Sequence, residues 1–145
     1  MILGLLKEYG TETRVALLPE IVKTFTDLKV EVLVEQGAGE TAFAANADYE
    51  AVGAKIVSRN DVFEKAEVLL QIQPPADGDT QKIKETQVWI SAFNPLWDTD
   101  LVKTFLKKHR GFKLEAEKLT LPFISPDKSL DYDGGYVAIL RKWYW

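Results

Sequence analysis

Three charged side chains near the start of the sequence are the first whose types and spacing suggest chemistry. Lys7, Glu8 and Arg14 follow a short apolar run and precede the next apolar segment. An always-charged guanidinium and a mobile ammonium can hold a carboxylate or a phosphate through charge-assisted hydrogen bonds. The same spacing is also typical of a solvated or mutually paired surface cluster. The residues alone therefore leave both interpretations open.

The glycine-rich stretch Gly37-Ala38-Gly39 is a second candidate, because it follows an apolar run and resembles a phosphate-binding fingerprint. In that fingerprint the glycines follow the first strand of their unit and lead directly into a long helix. Here the segment 43–46 intervenes before any helix can begin. We therefore predict a tight structural turn at this position.

Other reactive constellations are scarce in the sequence. His109 is the only histidine and no cysteine is present, so no histidine–cysteine zinc site can be built, and we predict no metal site. A serine nucleophile would lack a positioned base. Asp131 and Asp133 could pair for acid–base work, but their proline- and glycine-rich surroundings are more typical of a turn.

Composition narrows the class of protein. The chain has 145 residues, 46% of them apolar, which is enough for one substantial core, and we predict a single domain over 1–145 with a change of character after residue 118. A net charge of −4 argues against nucleic-acid binding. No apolar run is long enough to span a membrane, and the absence of cysteine suits a reducing compartment, so we expect a cytoplasmic protein.

The elements that must position these residues alternate between strands and helices. Apolar and β-branched runs predict strands over 2–6, 30–35, 54–57, 68–72, 88–93 and 112–116. Helical spacing predicts helices starting at Pro19, over 47–52, over 61–66 with Asn60 as the cap, over 77–84, and after Asp98 or Thr99. The four tryptophans are expected to pack in a core or interface. They are Trp89, Trp97, Trp143 and Trp145.

This alternation indicates an α/β fold with a doubly wound, mostly parallel sheet of flavodoxin-like or Rossmann-like type. In such sheets, ligands bind at the loops that follow the carboxyl ends of the strands. These loops begin at Lys7, Gln36, Gln73 and Asn94. A receiver domain fits less well, because the first strand ends in Lys7-Glu8 rather than in two acids.

Two segments carry a resemblance to a known family. The opening stretch Gly4 to Glu8, followed by Glu12-Thr13-Arg14-Val15-Ala16-Leu17-Leu18-Pro19, resembles the signature shared by alanine dehydrogenases and the alpha subunits of proton-translocating NAD(P) transhydrogenases. The likeness continues through 32–40, 48–57 and 67–72 and covers about residues 1 to 106. It implies a two-domain α/β protein in which this domain precedes a Rossmann domain that carries NAD(H).

The resemblance also implies roles for individual residues. Arg14 matches the arginine that holds the substrate carboxylate in alanine dehydrogenases, whereas their substrate lysine falls on Gln73 and their catalytic histidine on Asn94. A neutral amide cannot pair with a carboxylate as lysine does, and asparagine is no proton shuttle. The transhydrogenase alpha subunits need neither group and fit better. With Lys7, these residues form the predicted substrate or cleft group.

In the transhydrogenase subunits a further segment faces the cofactor, and it aligns with 122–131 of this sequence. Asp131 and Ser129 match that pattern and are the implied cofactor-binding residues. Phe123, Lys128 and Gly134 depart from it, standing where arginine, glutamine and serine are expected. These differences concern the groups that would touch the nicotinamide.

The resemblance therefore implies the N-terminal domain of a transhydrogenase alpha subunit, which packs beside an NAD-binding domain absent from this sequence. Its implied partners are that domain and the membrane subunits of the transhydrogenase, and relatives form homodimers. NAD(H) would serve the complete enzyme, while the isolated chain is expected to hold no cofactor tightly and to be inactive. Two alternatives are a non-enzymatic module that binds a small anion or a partner protein, and an alanine dehydrogenase.

Overall fold

The structure is a computed structural model that describes residues 1–76, 78–84, 86–93, 103, 112–118 and 136–142. For 93, 112–118 and 136–142 it describes the backbone alone. The predicted helix after Asp98 or Thr99 lies outside the described residues, apart from position 103. The predicted site residues Asn94, Ser129 and Asp131 lie outside them too, as do Trp97, Trp143 and Trp145.

Seven strands form one sheet in the order β3-β2-β1-β4-β5-β7-β6. The first five pair in parallel, and β7 lies antiparallel between β5 and β6. The predicted α/β fold with a mostly parallel sheet is confirmed. The strands are β1 (Ile2–Leu5), β2 (Glu31–Glu35), β3 (Lys55–Val57), β4 (Val68–Leu70), β5 (Val88–Phe93), β6 (Phe112–Lys118) and β7 (Tyr136–Lys142).

Three helices are described, α1 (Pro19–Asp27), α2 (Asn46–Ala51) and α3 (Arg59–Lys65). Helix α1 begins with proline, whose missing N–H has no intrahelical partner at that position. Of the apolar stripe predicted for α1, Val22 is fully buried, whereas Ile21 and Leu28 are exposed. Val22, together with the partly buried Phe25, fixes which face of this short helix meets the sheet.

The helices cover opposite faces of the sheet. On one face, α1 and α2 place Val22 and Tyr49 against alternate residues of β1 and β2, such as Leu5 and Val34. On the other face, α3 packs on the intervening residues and on β4 and β5, in a cluster formed by Leu6, Leu33, Val62, Phe63, Ala66, Leu69, Ile83 and Trp89. The parallel strands are therefore buried on both faces, which explains their nearly continuous apolar sequences.

Gly4 lets α3 lie directly on β1. A Cβ atom at Gly4 would come within 2.6 Å of Val62 Cγ1 and 2.7 Å of Ala66 Cβ. The strand-to-helix spacing on this face therefore depends on the missing side chain. Because α3 is held this close, its first residue, Arg59, is fixed over the carboxyl ends of the neighbouring strands.

Two local predictions were wrong. The hydroxyl of Ser58, not Asn60, caps α3 by accepting a hydrogen bond from Asp61 N at 3.2 Å, and the helix begins at Arg59. The predicted helix over 77–84 is not formed, since the described residues 78–82 form hydrogen-bonded turns instead. Lys82 N donates to Asp79 O at 2.8 Å within these turns.

Strand β7 was not among the strands predicted from the sequence. Its residues pair with β5, as in Ile90 with Ile139, and with β6, as in Leu114 with Leu140. Strand β6 was predicted as the last strand, and it occupies the edge of the sheet with β7 inserted before it.

Candidate functional site

The carboxyl ends of β1, β2 and β4 bring the polar residues that follow them to one edge of the sheet. Parallel strands in register place these ends side by side. Glu35 ends β2, and its Oε2 accepts a hydrogen bond from Lys7 N at 2.7 Å. Gln71 follows β4, and its Nε2 donates to Lys7 O at 3.0 Å. The backbone of Lys7 is thus held from both neighbouring strands.

Arg59 of α3 ties this edge together. Its Nη1 lies 2.5 Å from Glu35 Oε2, its Nη2 lies 2.5 Å from Asp79 Oδ2, and Nη1 also donates to Lys7 O at 3.2 Å. The side chain of Arg59 is 26% exposed and that of Asp79 only 8%. Burial pulls the pKa of Arg59 down, but the hydrogen bond to Asp79 and the charge of Glu35 outweigh it and raise that pKa. A network of charged, hydrogen-bonded side chains results.

Glu8 joins two loops through hydrogen bonds. Its carboxylate accepts hydrogen bonds from Ile72 N at 2.6 Å and from Gln73 N at 2.9 Å. Burial raises the pKa of Glu8 above its usual value, and the two backbone hydrogen bonds only partly oppose this effect. The loop after β1 is therefore fixed to the loop after β4 by a buried carboxylate.

Tyr9 adds two further links between the same loops. Its backbone N donates to Gln73 Oε1 at 2.8 Å, and its hydroxyl donates to Pro74 O at 2.9 Å. The side chain of Gln73 is consequently engaged in holding the loop, with its oxygen committed to Tyr9. The segment that follows β1 is thus positioned by hydrogen bonds on both sides of residue 8.

The raised pKa of Glu8 predicts how stability depends on pH. Since the folded chain opposes ionisation of Glu8 more than the unfolded chain does, the stability it contributes is fully present below the unfolded value near 4.5 and is lost as pH rises through the folded pKa. The free energy of unfolding of the wild type should therefore fall relative to that of Glu8→Gln as the pH rises above about 4.5. Urea unfolding at several pH values measures the difference.

The exposed carboxylate Glu64 on α3 supplies the control for this pH dependence. Glu64→Gln removes the same formal charge, so subtracting its profile separates the buried carboxylate of Glu8 from net charge. A difference between wild type and Glu8→Gln that stays constant or grows with pH would contradict a raised pKa at Glu8.

Of the predicted cleft residues, Lys7 and Gln73 lie at this edge of the sheet, whereas Arg14 lies largely in solvent. Lys7 and Gln73 lie at the same edge, linked through Glu8 and Tyr9, and Lys7 Nζ lies 3.6 Å from Glu40 Oε2. The side chain of Arg14 is 72% exposed and forms a two-point pair with Glu12, in which Nη2 lies 2.7 Å from Oε2 and Nε lies 2.9 Å from Oε1. This hydrogen bonding to Arg14 lowers the pKa of Glu12 to about 2.

The glycine-rich stretch forms a tight turn, as predicted. Gly37 has a φ of 74°, a conformation that favours glycine, and its N–H donates to Asn46 Oδ1 at 2.9 Å. A Cβ at Gly39 would lie 2.6 Å from Ala44 O. The turn thus closes on its own chain and leads into a 3-10 helix of only three residues, Glu40–Ala42.

A cavity of about 330 Å³ opens at this edge. It is lined by Lys7, Glu8, Tyr9, Glu35, Arg59, Ala76 and Asp79. Sequence reasoning missed Glu35, Arg59 and Asp79 as members of the site. The position of Glu35 at the end of a predicted strand could have revealed it, but nothing local in the sequence signals that Asp79 turns back onto Arg59.

The described part of the chain holds no group of three or more His, Asp or Glu side chains placed to bind a metal ion. Within the same residues, no helix combines the length and the apolar character needed to cross a membrane.

The chain is similar in sequence and in structure to several known proteins. An alanine dehydrogenase of Methanococcus maripaludis is 30% identical over 132 residues, covering 87% of this chain and 35% of that protein. A transhydrogenase from Sinorhizobium meliloti superposes with a TM-score of 0.68 at 27% identity, covering 72% of this chain and 32% of that one. An L-alanine dehydrogenase superposes with a TM-score of 0.70 at 26% identity, covering 75% and 30%.

This chain thus spans about a third of the length of these relatives. The family model described as alanine dehydrogenase/PNT, N-terminal domain, matches residues 4–121, which include β2 to β6 and every residue that lines the cavity. With most of the sequence matched and the sheet shared, the chain belongs to the alanine dehydrogenase/PNT N-terminal domain family.

Proposed function

We propose that this chain serves as the N-terminal domain of a transhydrogenase-type alpha subunit and forms one wall of a cleft beside an NAD-binding domain. In the complete protein, hydride would pass between NADH and NADP. The main support for the proposal is Gln73, which occupies the position of the substrate lysine of alanine dehydrogenases according to the resemblance. It is a neutral amide whose oxygen is committed to Tyr9 N at 2.8 Å, so it offers no charge to a substrate carboxylate.

Exposed apolar side chains at the carboxyl edge support packing against a second domain. Tyr9 lies in the loop after β1, Leu18 precedes α1, and Phe43, which is 100% exposed, lies in the loop before α2. Tyr9 and Leu18 lie in the same connection between β1 and α1, and both this connection and the one that holds Phe43 follow carboxyl ends of parallel strands. Exposed apolar groups at such an edge suit a contact surface between domains.

Arg14 supports the same assignment through its exposure. Its guanidinium is held by Glu12 yet remains largely in solvent, where it can contribute positive potential to a cleft that receives an anionic dinucleotide. Asp131 and Ser129 would face the nicotinamide side, and Lys7 and Asn94 would border the cleft. The partners of the complete protein would be the NAD-binding domain, the membrane transhydrogenase subunits and a second copy of the subunit, in the cytoplasm.

Two reactions of the native protein that contains this chain distinguish the candidates. We expect hydride transfer from NADH to an NADP analogue with a shifted absorbance maximum, and no reduction of NAD by alanine. Alanine-dependent reduction of NAD would contradict the proposal and favour the alanine dehydrogenase activity of the relative from Methanococcus maripaludis. Absence of both reactions would favour a non-enzymatic binding module.

Arg14→Ala tests the role of the exposed guanidinium. Because the pair with Glu12 is largely solvent-exposed, its loss should change the free energy of unfolding by less than about 1 kcal/mol. Hydride transfer by the native protein should fall severalfold, mainly through a raised KM for the dinucleotide.

Lys55→Ala is the matched control, since Lys55 is also exposed and paired, with its Nζ 2.8 Å from Glu31 Oε1. It lies on the outer strand β3, at the residue where the pairing with β2 begins. Equal losses of activity in the two variants would show a general charge effect. A large loss of stability in Arg14→Ala would show that Arg14 is structural.

A further inference from the structure

Buried polar side chains collect on one face of the sheet. On the α3 face, the next residue after Leu69 is Gln71, which directly follows β4, and the next after Trp89 of β5 is Ser91. Asp79 and Thr80, in the turns after β4, are buried as well, and Glu8 lies at the edge formed by the carboxyl ends of the strands. Gln71 is 1% exposed and Ser91 3%. A face this rich in buried polar groups requires partners for them.

The cavity at this edge has an unequal balance of charge. Two cationic side chains, Lys7 and Arg59, and three anionic ones, Glu8, Glu35 and Asp79, line it. Both terminal nitrogens of Arg59 are committed to Glu35 and Asp79, and Lys7 Nζ lies near Glu40. The positive charges of the lining are therefore already neutralised by the protein.

Glu8 differs from the other two acids. Its hydrogen bonds are to the backbone of Ile72 and Gln73, and no Lys or Arg nitrogen of the described residues forms an ion pair with it. It is 8% exposed and lines the cavity. When ionised, a buried carboxylate with no ion pair to the described Lys and Arg side chains attracts a positive ligand group and repels an anion, although the charge of Arg59 acts on it from a distance.

Gln71 adds an unused acceptor behind the cavity. Its Nε2 donates to Lys7 O, the carbonyl that also accepts from Arg59, and this bond fixes the orientation of the amide. Its Oε1 is buried without a hydrogen-bond partner, and so is the hydroxyl of the neighbouring Ser91. Gln71 Oε1 is thus an unpaired acceptor on this face, whereas the Ser91 hydroxyl can donate as well as accept and Trp89 Nε1 is an unpaired donor.

We propose that the cavity beside α3 binds a small organic cation, in which a primary ammonium or an amidinium group is held by the carboxylate of Glu8. The ligand donates to Glu8, and its body lies between Tyr9 and Ala76. A volume of about 330 Å³ suits a small ligand. Lys7 alone would suggest an anion site in this cavity. Binding of a cation here is independent of the proposed hydride transfer.

Nuclear magnetic resonance titration of this chain with three probes of similar size tests the inference. Propylammonium should give saturable shifts in the amide signals of Glu8, Glu35, Arg59 and Ala76, while propionate and propanol should give none there. Saturable binding of propionate at these signals would overturn the proposal in favour of an anion site. Equal responses to propylammonium and propanol, or no response to either, would also overturn it.

Variants locate the charge responsible. Glu8→Gln keeps an acceptor for one loop N–H and should weaken propylammonium binding about tenfold or more. Glu64→Gln removes the same formal charge from an exposed position on α3 and should leave the affinity unchanged. Equal weakening in the two variants would contradict a specific role of Glu8. If Glu8→Gln does not fold, the three-probe comparison on the wild type still decides.

Discussion

Trp89→Ala should lower the free energy of unfolding by about 3 to 5 kcal/mol, the largest effect we expect from a single change. Trp89 is the largest fully buried side chain of the described residues, on the interior strand β5, with its ring centroid 5.9 Å from that of Phe63. Truncation removes its packing against α3 and leaves a cavity that the rigid sheet cannot close. Urea unfolding of the variant and the wild type measures the loss.

Trp89→Phe is the matched control for that change. The indole Nε1 of Trp89 is buried without a hydrogen-bond partner, so replacing the indole by a phenyl ring removes an unsatisfied donor together with some packing volume. The cost should be clearly smaller than that of Trp89→Ala. A loss below about 1 kcal/mol for Trp89→Ala would contradict a central packing role for this residue.

Arg59→Ala should destabilise the chain by about 3 kcal/mol, because it leaves the partly buried Glu35 without its ion-pair partner and the buried Asp79 with only the more distant Lys82, at 3.9 Å. It also removes a donor from Lys7 O. The cost should be near the lower end of the range for buried pairs, since the side chain of Arg59 is 26% exposed. Urea unfolding at neutral pH and moderate salt measures it.

A combined variant separates unpaired charge from lost packing. Arg59→Met together with Glu35→Gln and Asp79→Asn removes all three charges, and the amide oxygen introduced at position 35 can still accept from Lys7 N in place of the carboxylate. We expect this variant to recover much of the stability that Arg59→Ala loses. If the combined variant is as unstable as Arg59→Ala, the ion pairs are not the cause of the loss.

The sequence was sufficient to predict the parallel part of the sheet. Short apolar, β-branched runs such as Glu31–Glu35 and Val68–Leu70 have few alternatives when each is followed by a helical pattern. The start of α1 was also predictable, because proline and the apolar spacing indicated the same residue. Agreement between local preference and global pattern makes such elements predictable.

Other elements depend on tertiary contacts that no local pattern reveals. The segment 78–82 forms turns rather than a helix, and these turns place Asp79 against Arg59 of α3, twenty residues earlier. Strand β7 has a short apolar run that suits either a buried helix or a strand, and the pairing with β5 and β6 decides between them.

The members of the candidate site were also predicted only in part. The rule that ligands meet the carboxyl ends of parallel strands selected the edge of Lys7 and Gln73, and the structure places both residues there. This rule could not show that Glu8 is buried and hydrogen-bonded to the loop after β4, since a charged residue in a loop is usually solvated. The cation-binding inference comes from that burial, which only the three-dimensional arrangement shows.

The proposed role of this chain, as one wall of a cleft beside an NAD-binding domain, can be tested by the intact mass, under native conditions, of the species that carries this chain in its own cells. We expect a species well above 16.4 kDa that contains an NAD-binding domain, in the same polypeptide or as a stoichiometric partner. A native species of 16.4 kDa without such a domain would contradict it.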